Sequence, residues 1–206
     1  MQYSQKVLDH FMKPHNVGKI EKPDAEATEG SPACGDQVSI FMKVDPKSHV
    51  IKDIKFQSYG CASNIATGSI ITDMAMGKTL EEAKDISWKE AAEELDGLPP
   101  VKMHCSVLAV DTLRKAIKDY EIKHNLSEAD VFSKETIVEE LKKVIYPKVG
   151  EDIVTLKMVK YVGFEDGIAI IDLEIPKFDK YRENVAEEVQ EHLEQYPEIK
   201  EVKITM

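Results

Sequence analysis

Cysteine is scarce in this chain, and basic charge is in deficit. Three cysteines, Cys34, Cys61 and Cys105, occur in 206 residues. An odd set this small cannot close a disulfide framework, so the thiols are expected to be free, metal-bound or nucleophilic. Lys and Arg number 27 against 38 Asp and Glu, for a net charge of −11. That balance argues against a nucleic-acid surface, because phosphate binding needs clustered Lys and Arg, so no nucleic-acid partner is expected. No apolar run approaches the roughly 20 residues of a membrane-spanning helix. The opening MQYSQKVLDHF carries no apolar stretch of the signal-peptide kind, and the expected setting is the cytoplasm, with no membrane partner.

What remains is ordinary globular composition, 42% hydrophobic and 32% charged, enough for one large domain or two small ones. Val7, Leu8 and Phe11 suggest an amphipathic opening helix with all three on one face. The segment from Asn16 to Gly35 reads as loop. Val38, Ile40, Met42 and Val44, then Ile54 and Phe56 beyond an Asp45-Pro46 turn, predict a β-hairpin. A helix is expected from about Ala62 to Gly77, short charged helices over 79–95, and a long helix from Met103 with Val107, Val110, Leu113, Ile117 and Tyr120 as its buried stripe. Apolar periodicity lapses over Lys123 to Ser133, which marks a domain boundary. Beyond it, Ile137, Val138, Leu141, Val144 and Ile145 predict a helix, Leu156–Val162 and Ile168–Leu173 strands, Val185, Val189 and Leu193 a second helix, and Val202, Ile204 and Met206 a last strand. Residues 127–206 hold 11 basic and 19 acidic side chains, net −8, leaving only −3 for the rest.

The chemistry concentrates around the cysteines. Cys34 lies in a loop, while Cys61 and Cys105 each open a helix, where free amides and the helix dipole are expected to lower both thiol pKa values. Three thiolates leave one vacancy in a four-donor site for zinc or an iron–sulfur cluster. Asp36 and His104 are the adjacent candidates, and a carboxylate, being harder than thiolate, would hold iron less firmly. Gly35 has no side chain to block a metal centre. Separations of 27 and 44 residues match no compact CxxC signature, so spacing alone indicates a metal or sulfur site and no more. A Cys-His hydrolase is disfavoured, because neighbouring helical residues such as His104 and Cys105 point about 100° apart.

Four ordered stretches, YSQKVLDHFMKPHNVG, PACGD at 32–36, YGCASNIATGS at 59–69 and LPPVKMHCSVLAVDTLRKAI at 98–117, together resemble the IscU/NifU-N family of iron–sulfur cluster assembly scaffolds. The resemblance implies an α+β fold for residues 1–125, an antiparallel sheet packed on helices. It implies a scaffold or carrier, not an enzyme, that takes persulfide sulfur and iron, holds a labile [2Fe-2S] cluster and passes it to apo iron–sulfur proteins or carriers. Cys34, Cys61 and Cys105 would be ligands, with Asp36 or His104 the fourth donor. Cys105 would also accept persulfide sulfur from a cysteine desulfurase. The segment Leu98, Pro99, Pro100, Val101 and Lys102 is similar to one recognised by a DnaK-type chaperone, although Gly97 in DGLPP looks more like the NifU and SufU branches. Zinc is an expected occupant of the cluster-free form, and a homodimer is compatible with the family. Residues 133–206 weakly resemble the MIP18/DUF59 family, a small α+β domain; where its members often carry cysteine this chain reads IPKFDKY, so the domain is expected to bind no cluster itself and to serve either as a docking module for an apo-target or carrier or as a stabilising or dimerising appendage. The rival from another class is a zinc-dependent sulfurtransferase of the SufU type, using the same residues.

Overall fold

A computed structural model describes residues 3–31, 35–126 and 132–206. The chain divides into two compact units, Met1–Ala129 and Asp130–Met206. Among the described residues no helix is long and apolar enough to cross a membrane.

In the first unit, β1 (Ala25–Ser31), β2 (Asp36–Val44) and β3 (Ile51–Tyr59) form an antiparallel sheet in the order β1-β2-β3. Ala27 pairs with Ile40 and Ile40 with Phe56. Strand alternation puts Val38, Ile40, Met42, Ile54 and Phe56 on one face, and all are buried. Onto the unit's helical side pack α2 (Ala62–Ala75) and α5 (Met103–Lys123), with α1 (Gln5–Met12) against α2. The expected stripe of α5, from Val107 to Tyr120, is buried throughout. Two short helices, α3 (Leu80–Lys84) and α4 (Trp88–Glu94), each opened by a capping box, link α2 to α5.

Residues 16–35 are not all loop, since they contain β1. Its sequence AEATEGS offers alanine where strands usually show β-branched residues, so the alternation was faint. Position along α5 holds the strand instead: the Glu26 amide donates to Asp119 Oδ2 at 3.1 Å, and Lys115 pairs with Glu29 at 2.7 Å. In α1, only Val7 is buried, and Leu8 and Phe11 remain exposed.

The helix α2 is built from small residues, and that is why it fits between its neighbours. Ser63, Asn64, Ala66, Thr67, Gly68, Ser69 and Ala75 are all buried. A Cβ on Gly68 would lie 2.5 Å from the Phe56 ring. Gly68→Ala is therefore expected to lower stability by about 1–3 kcal/mol through overpacking, read as a drop in the thermal midpoint. An unchanged midpoint would show that Phe56 moves aside at no cost. Close packing also fixes helix ends: Asn64 Nδ2 donates to Gln37 O (3.3 Å) and Ser58 Oγ (3.0 Å), pinning the start of α2 to the sheet. Thr67 Oγ1 lies 3.2 Å from Cys105 O, setting α2 against the first turn of α5.

The second unit contains α6 (Lys134–Leu141), the short hairpin β4 (Ile145–Tyr146) and β5 (Glu151–Asp152), then β6 (Val159–Glu165), β7 (Ile168–Leu173), α7 (Arg182–Glu194) and β8 (Glu201–Thr205). β6 and β7 pair antiparallel, and β8 returns parallel to β7 after the α7 crossover. Ile137, Leu141, Val162, Ile171, Val185, Val189 and Leu193 form the core. The predicted first helix stops at Leu141, so Val144 and Ile145 lie beyond it. The strand expected from Leu156 begins only at Val159, because 153–158 turns back, with Met158 N–H bonded to Ile153 O and Lys157 at φ 57°.

One buried carboxylate anchors this unit. Burial by itself would raise the Glu140 pKa, but His192 at 3.5 Å, Lys143 at 2.7 Å and the Tyr196 hydroxyl at 2.6 Å outweigh it and bring it to about 2. A folded value below the unfolded one gives stability that is present above about pH 4.5 and lost as pH falls towards 2. Glu140→Gln should remove on the order of 3 kcal/mol at pH 7 and flatten the acid limb of this unit's unfolding profile. An acid limb identical to that of the unsubstituted chain would contradict the linkage.

Candidate functional site

The site forms where three chain segments meet at the ends of β2, β3 and the helices. Asp36 is the first residue of β2. Cys61 is the N-cap of α2, in extended conformation at φ −77° and ψ 169°. Cys105 lies in the first turn of α5, preceded by the 3-10 turn Pro100–Lys102. Cys34, with the expected alignment of Cys34 and Asp36, lies outside the described residues.

Among the described residues, Cys61 Sγ and Cys105 Sγ are 3.7 Å apart, and Asp36 Oδ2 lies 3.6 Å from the first and 3.7 Å from the second. Asp36 Oδ1 accepts the Cys61 backbone N–H at 3.1 Å, which orients the carboxylate. His104 Nε2 lies 3.5 Å from Cys105 Sγ and 4.0 Å from Asp36 Oδ2. Asp36, Cys61 and Cys105 thus come together, and His104 reaches Cys105 and Asp36 from beside them. The 100° argument against a His104–Cys105 pairing is corrected: the imidazole is long enough to bring Nε2 back over the neighbouring sulfur.

The approach of Asp36 depends on Gly60. A Cβ there would stand 2.4 Å from Asp36 Oδ1 and 2.9 Å from Asn64 Nδ2, so a side chain and the carboxylate compete for one space. Gly60 was within a quoted motif, but nothing in the sequence marked it as the wall behind the carboxylate.

The electrostatics separate the two thiols. A hydrogen bond from Cys105 lowers the Cys61 pKa to about 6, with the Asn64 amide and Lys102 adding to the effect against burial. Cys105 moves the opposite way: it is the donor to Cys61, it is fully buried, and the Cys61 and Asp36 charges oppose a second anion. The expectation that both thiols are acidified is therefore wrong for Cys105. A helix N-terminus favours an anion, but two sulfurs in contact share one proton, and desolvation decides which keeps it. Burial weakens the Lys102 ammonium's charged state, yet the Cys61 and Cys105 charges overcome this and raise its pKa. Burial, followed by Lys102, lowers the His104 pKa against the pull of Asp36. A neutral imidazole is the form that ligates metal or takes up a proton.

The LPPVK segment sits at the rim. Leu98 is buried beside Val7, Ala66 and Leu95, whereas Pro100 is exposed. Gly97 at φ +90° follows Asp96 at φ 55° and bonds back to Ala92 O at 2.9 Å, terminating α4. The DG of DGLPP thus serves as a helix stop.

This arrangement sets soft sulfur beside one carboxylate and one imidazole, and Asp36, His104 and Cys105 are grouped closely enough that they could hold a metal ion. The chain belongs to the NifU-like N terminal domain family, which it matches over residues 2–127. Residues 134–206 match a second family, described as iron-sulfur cluster assembly protein. The chain is 58% identical over 118 residues to iron-sulfur cluster assembly scaffold protein IscU 1 of Archaeoglobus fulgidus, covering 57% of this chain and 76% of that protein. It is 42% identical over 147 residues to scaffold protein IscU of Aquifex aeolicus, covering 69% and 94% respectively. The Haemophilus influenzae scaffold protein IscU is 49% identical over 126 residues, covering 60% of this chain and 98% of that one.

Proposed function

We propose that this chain is a cytoplasmic scaffold, not an enzyme, on which a labile [2Fe-2S] cluster is built and from which it is handed on. The observation that carries the reading is the convergence of Asp36, Cys61 and Cys105 within 3.7 Å beside His104. Cys34 completes the thiolate set. The thiolates hold iron firmly, and the Asp36 oxygen is the ligand that opens.

Sulfur arrives as persulfide from a cysteine desulfurase and is accepted at Cys105. Because that thiol keeps its proton in the cluster-free site, His104 Nε2 is placed to remove it. The Cys105 thiolate then bonds to the terminal sulfur of the donor persulfide, the donor's sulfur–sulfur bond breaks, and the donor cysteine leaves as thiolate. The turn at 98–102 must open to expose Cys105, and an extended grip on Leu98–Lys102 by a DnaK-type chaperone would hold it open, since Leu98 leaves its buried place. Zinc fits the same donors in the cluster-free form. The second unit, without cysteine, is read as a docking module for recipients.

The test is anaerobic reconstitution with desulfurase, cysteine and ferrous iron, followed by mixing with an apo [2Fe-2S] acceptor. Complete transfer within minutes supports the scaffold. A chain that carries zinc and relays sulfur without ever holding iron and sulfide together would establish the sulfurtransferase instead.

A further inference from the structure

The first quoted motif, YSQKVLDHFMKPHNVG, contributes no donor to the cysteine site, yet it carries two histidines. His10 lies in the last turn of α1, and His15 follows in the loop after it. Their ring centroids are 5.0 Å apart. Across from them, on α2, stand Ser69 and Asp73. His10 Nδ1 is 2.8 Å from Ser69 Oγ, and His15 Nδ1 is 2.6 Å from Asp73 Oδ2. The other Asp73 oxygen accepts from Asn16 Nδ2 at 2.9 Å, which fixes the carboxylate.

An imidazole and a carboxylate that share a proton at hydrogen-bond distance can share a cation instead: a divalent ion that replaced the proton between His15 Nδ1 and Asp73 Oδ2 would bind both, with the His10 ring beside them. One donor atom from each of His10, His15 and Asp73 lies within 4.8 Å of the other two. Both rings also line an open depression of about 360 Å³, shared with Asp9, Met12 and Lys13, which admits a hydrated ion. Lys13 opposes a cation there, whereas Asp9 and Asp73 favour one.

We propose that His10, His15 and Asp73 form a second, exchangeable site for a divalent first-row transition ion, separate from the cysteine site. Two imidazoles and one carboxylate are the donor set that suits ferrous iron with open positions, and they also suit zinc or cobalt. Asp73 lies twelve residues beyond Cys61 on the same helix, about 18 Å along its axis at 1.5 Å per residue. An ion here therefore does not touch the thiols. The ion-binding stands without the scaffold reading; its use as a waiting place for iron before sulfur arrives rests on that reading.

Anaerobic titration of the full chain with cobalt(II) distinguishes the two sites. Cobalt at thiolates gives intense near-ultraviolet charge-transfer absorption, while cobalt at imidazole and carboxylate gives only weak visible bands. The chain is expected to bind one cobalt more, by calorimetry, than the charge-transfer band accounts for. His15→Gln, at a half-exposed side chain, and Asp73→Asn should each weaken that additional binding at least about tenfold, leaving the charge-transfer band intact as evidence of an intact fold. No additional cobalt, or additional cobalt that survives both substitutions, would overturn the site and leave the cluster as a loop clasp only. A missing charge-transfer band with the additional cobalt still present would count against the scaffold reading and for the histidine site.

Discussion

At pH 7, Cys61 of the cluster-free chain should be alkylated by iodoacetamide about a hundred times faster than Cys105, measured at each cysteine by peptide mass spectrometry. The reason is the shared proton. With the Cys61 pKa near 6, about 90% of that sulfur is thiolate at neutral pH, against a few per cent for an ordinary cysteine. Cys105 keeps its proton in a fully buried position. Its pH profile should show the Cys61 rate rising through about pH 6 and levelling above it. Cys105→Ala removes the donor that stabilises the Cys61 thiolate, so the midpoint should move up towards the ordinary thiol range and the neutral-pH rate should fall roughly tenfold. Equal rates at the two sulfurs, or a Cys61 midpoint unaffected by Cys105→Ala, would show that the sulfur contact does not set the acidity.

Asp36→Ala is expected to lengthen the life of the assembled cluster under chelator roughly tenfold, equivalent to about 1.4 kcal/mol in the barrier to release. Removing the carboxylate takes away the hardest donor, and His104 Nε2, 4.0 Å from Asp36 Oδ2, is the borderline ligand placed to take its position. Gly60→Ala reaches the same end from behind. Its Cβ would occupy the space of Asp36 Oδ1 at 2.4 Å, so the carboxylate must swing away and release the Cys61 amide. The two substitutions should therefore be strongly non-additive, the double variant retaining its cluster about as long as Asp36→Ala alone. A colourless Asp36→Ala protein, or one that loses its cluster faster, would mean that the carboxylate holds the cluster rather than loosening it.

Much of the fold was legible because its period was regular. The stripe Val107 to Tyr120 and the alternation Val38, Ile40, Met42 are signals that burial alone dictates, and both appear in place. β1 was not legible, because alanines and glutamates carry no strand signature and α5 supplies what secures them. The run Ile137 to Ile145 misled for the opposite reason: apolar spacing continued past Leu141 while the backbone turned into β4, a change that periodicity does not record. At the site, residue identities were readable from the chain and their mutual effects were not. Helix N-termini correctly forecast an acidic Cys61, but the opposite shift of Cys105 follows from a 3.7 Å sulfur contact across 44 residues of sequence. The approach of His104 Nε2 to Cys105 escapes ideal helix angles, which ignore side-chain length. Lys102 was read within the LPPVK segment, and its charge proves to bear on both thiols.

Whether these residues carry an iron–sulfur cluster is read from Mössbauer and visible absorption spectra, with iron, sulfide and zinc counts per chain, after anaerobic reconstitution of the unsubstituted chain and Cys105→Ser. The predicted result is a brown [2Fe-2S] protein that bleaches on brief chelation, with the cluster diminished in Cys105→Ser. A chain that remains colourless with one zinc and no acid-labile sulfide, even when supplied with desulfurase, cysteine and iron, would contradict the scaffold reading.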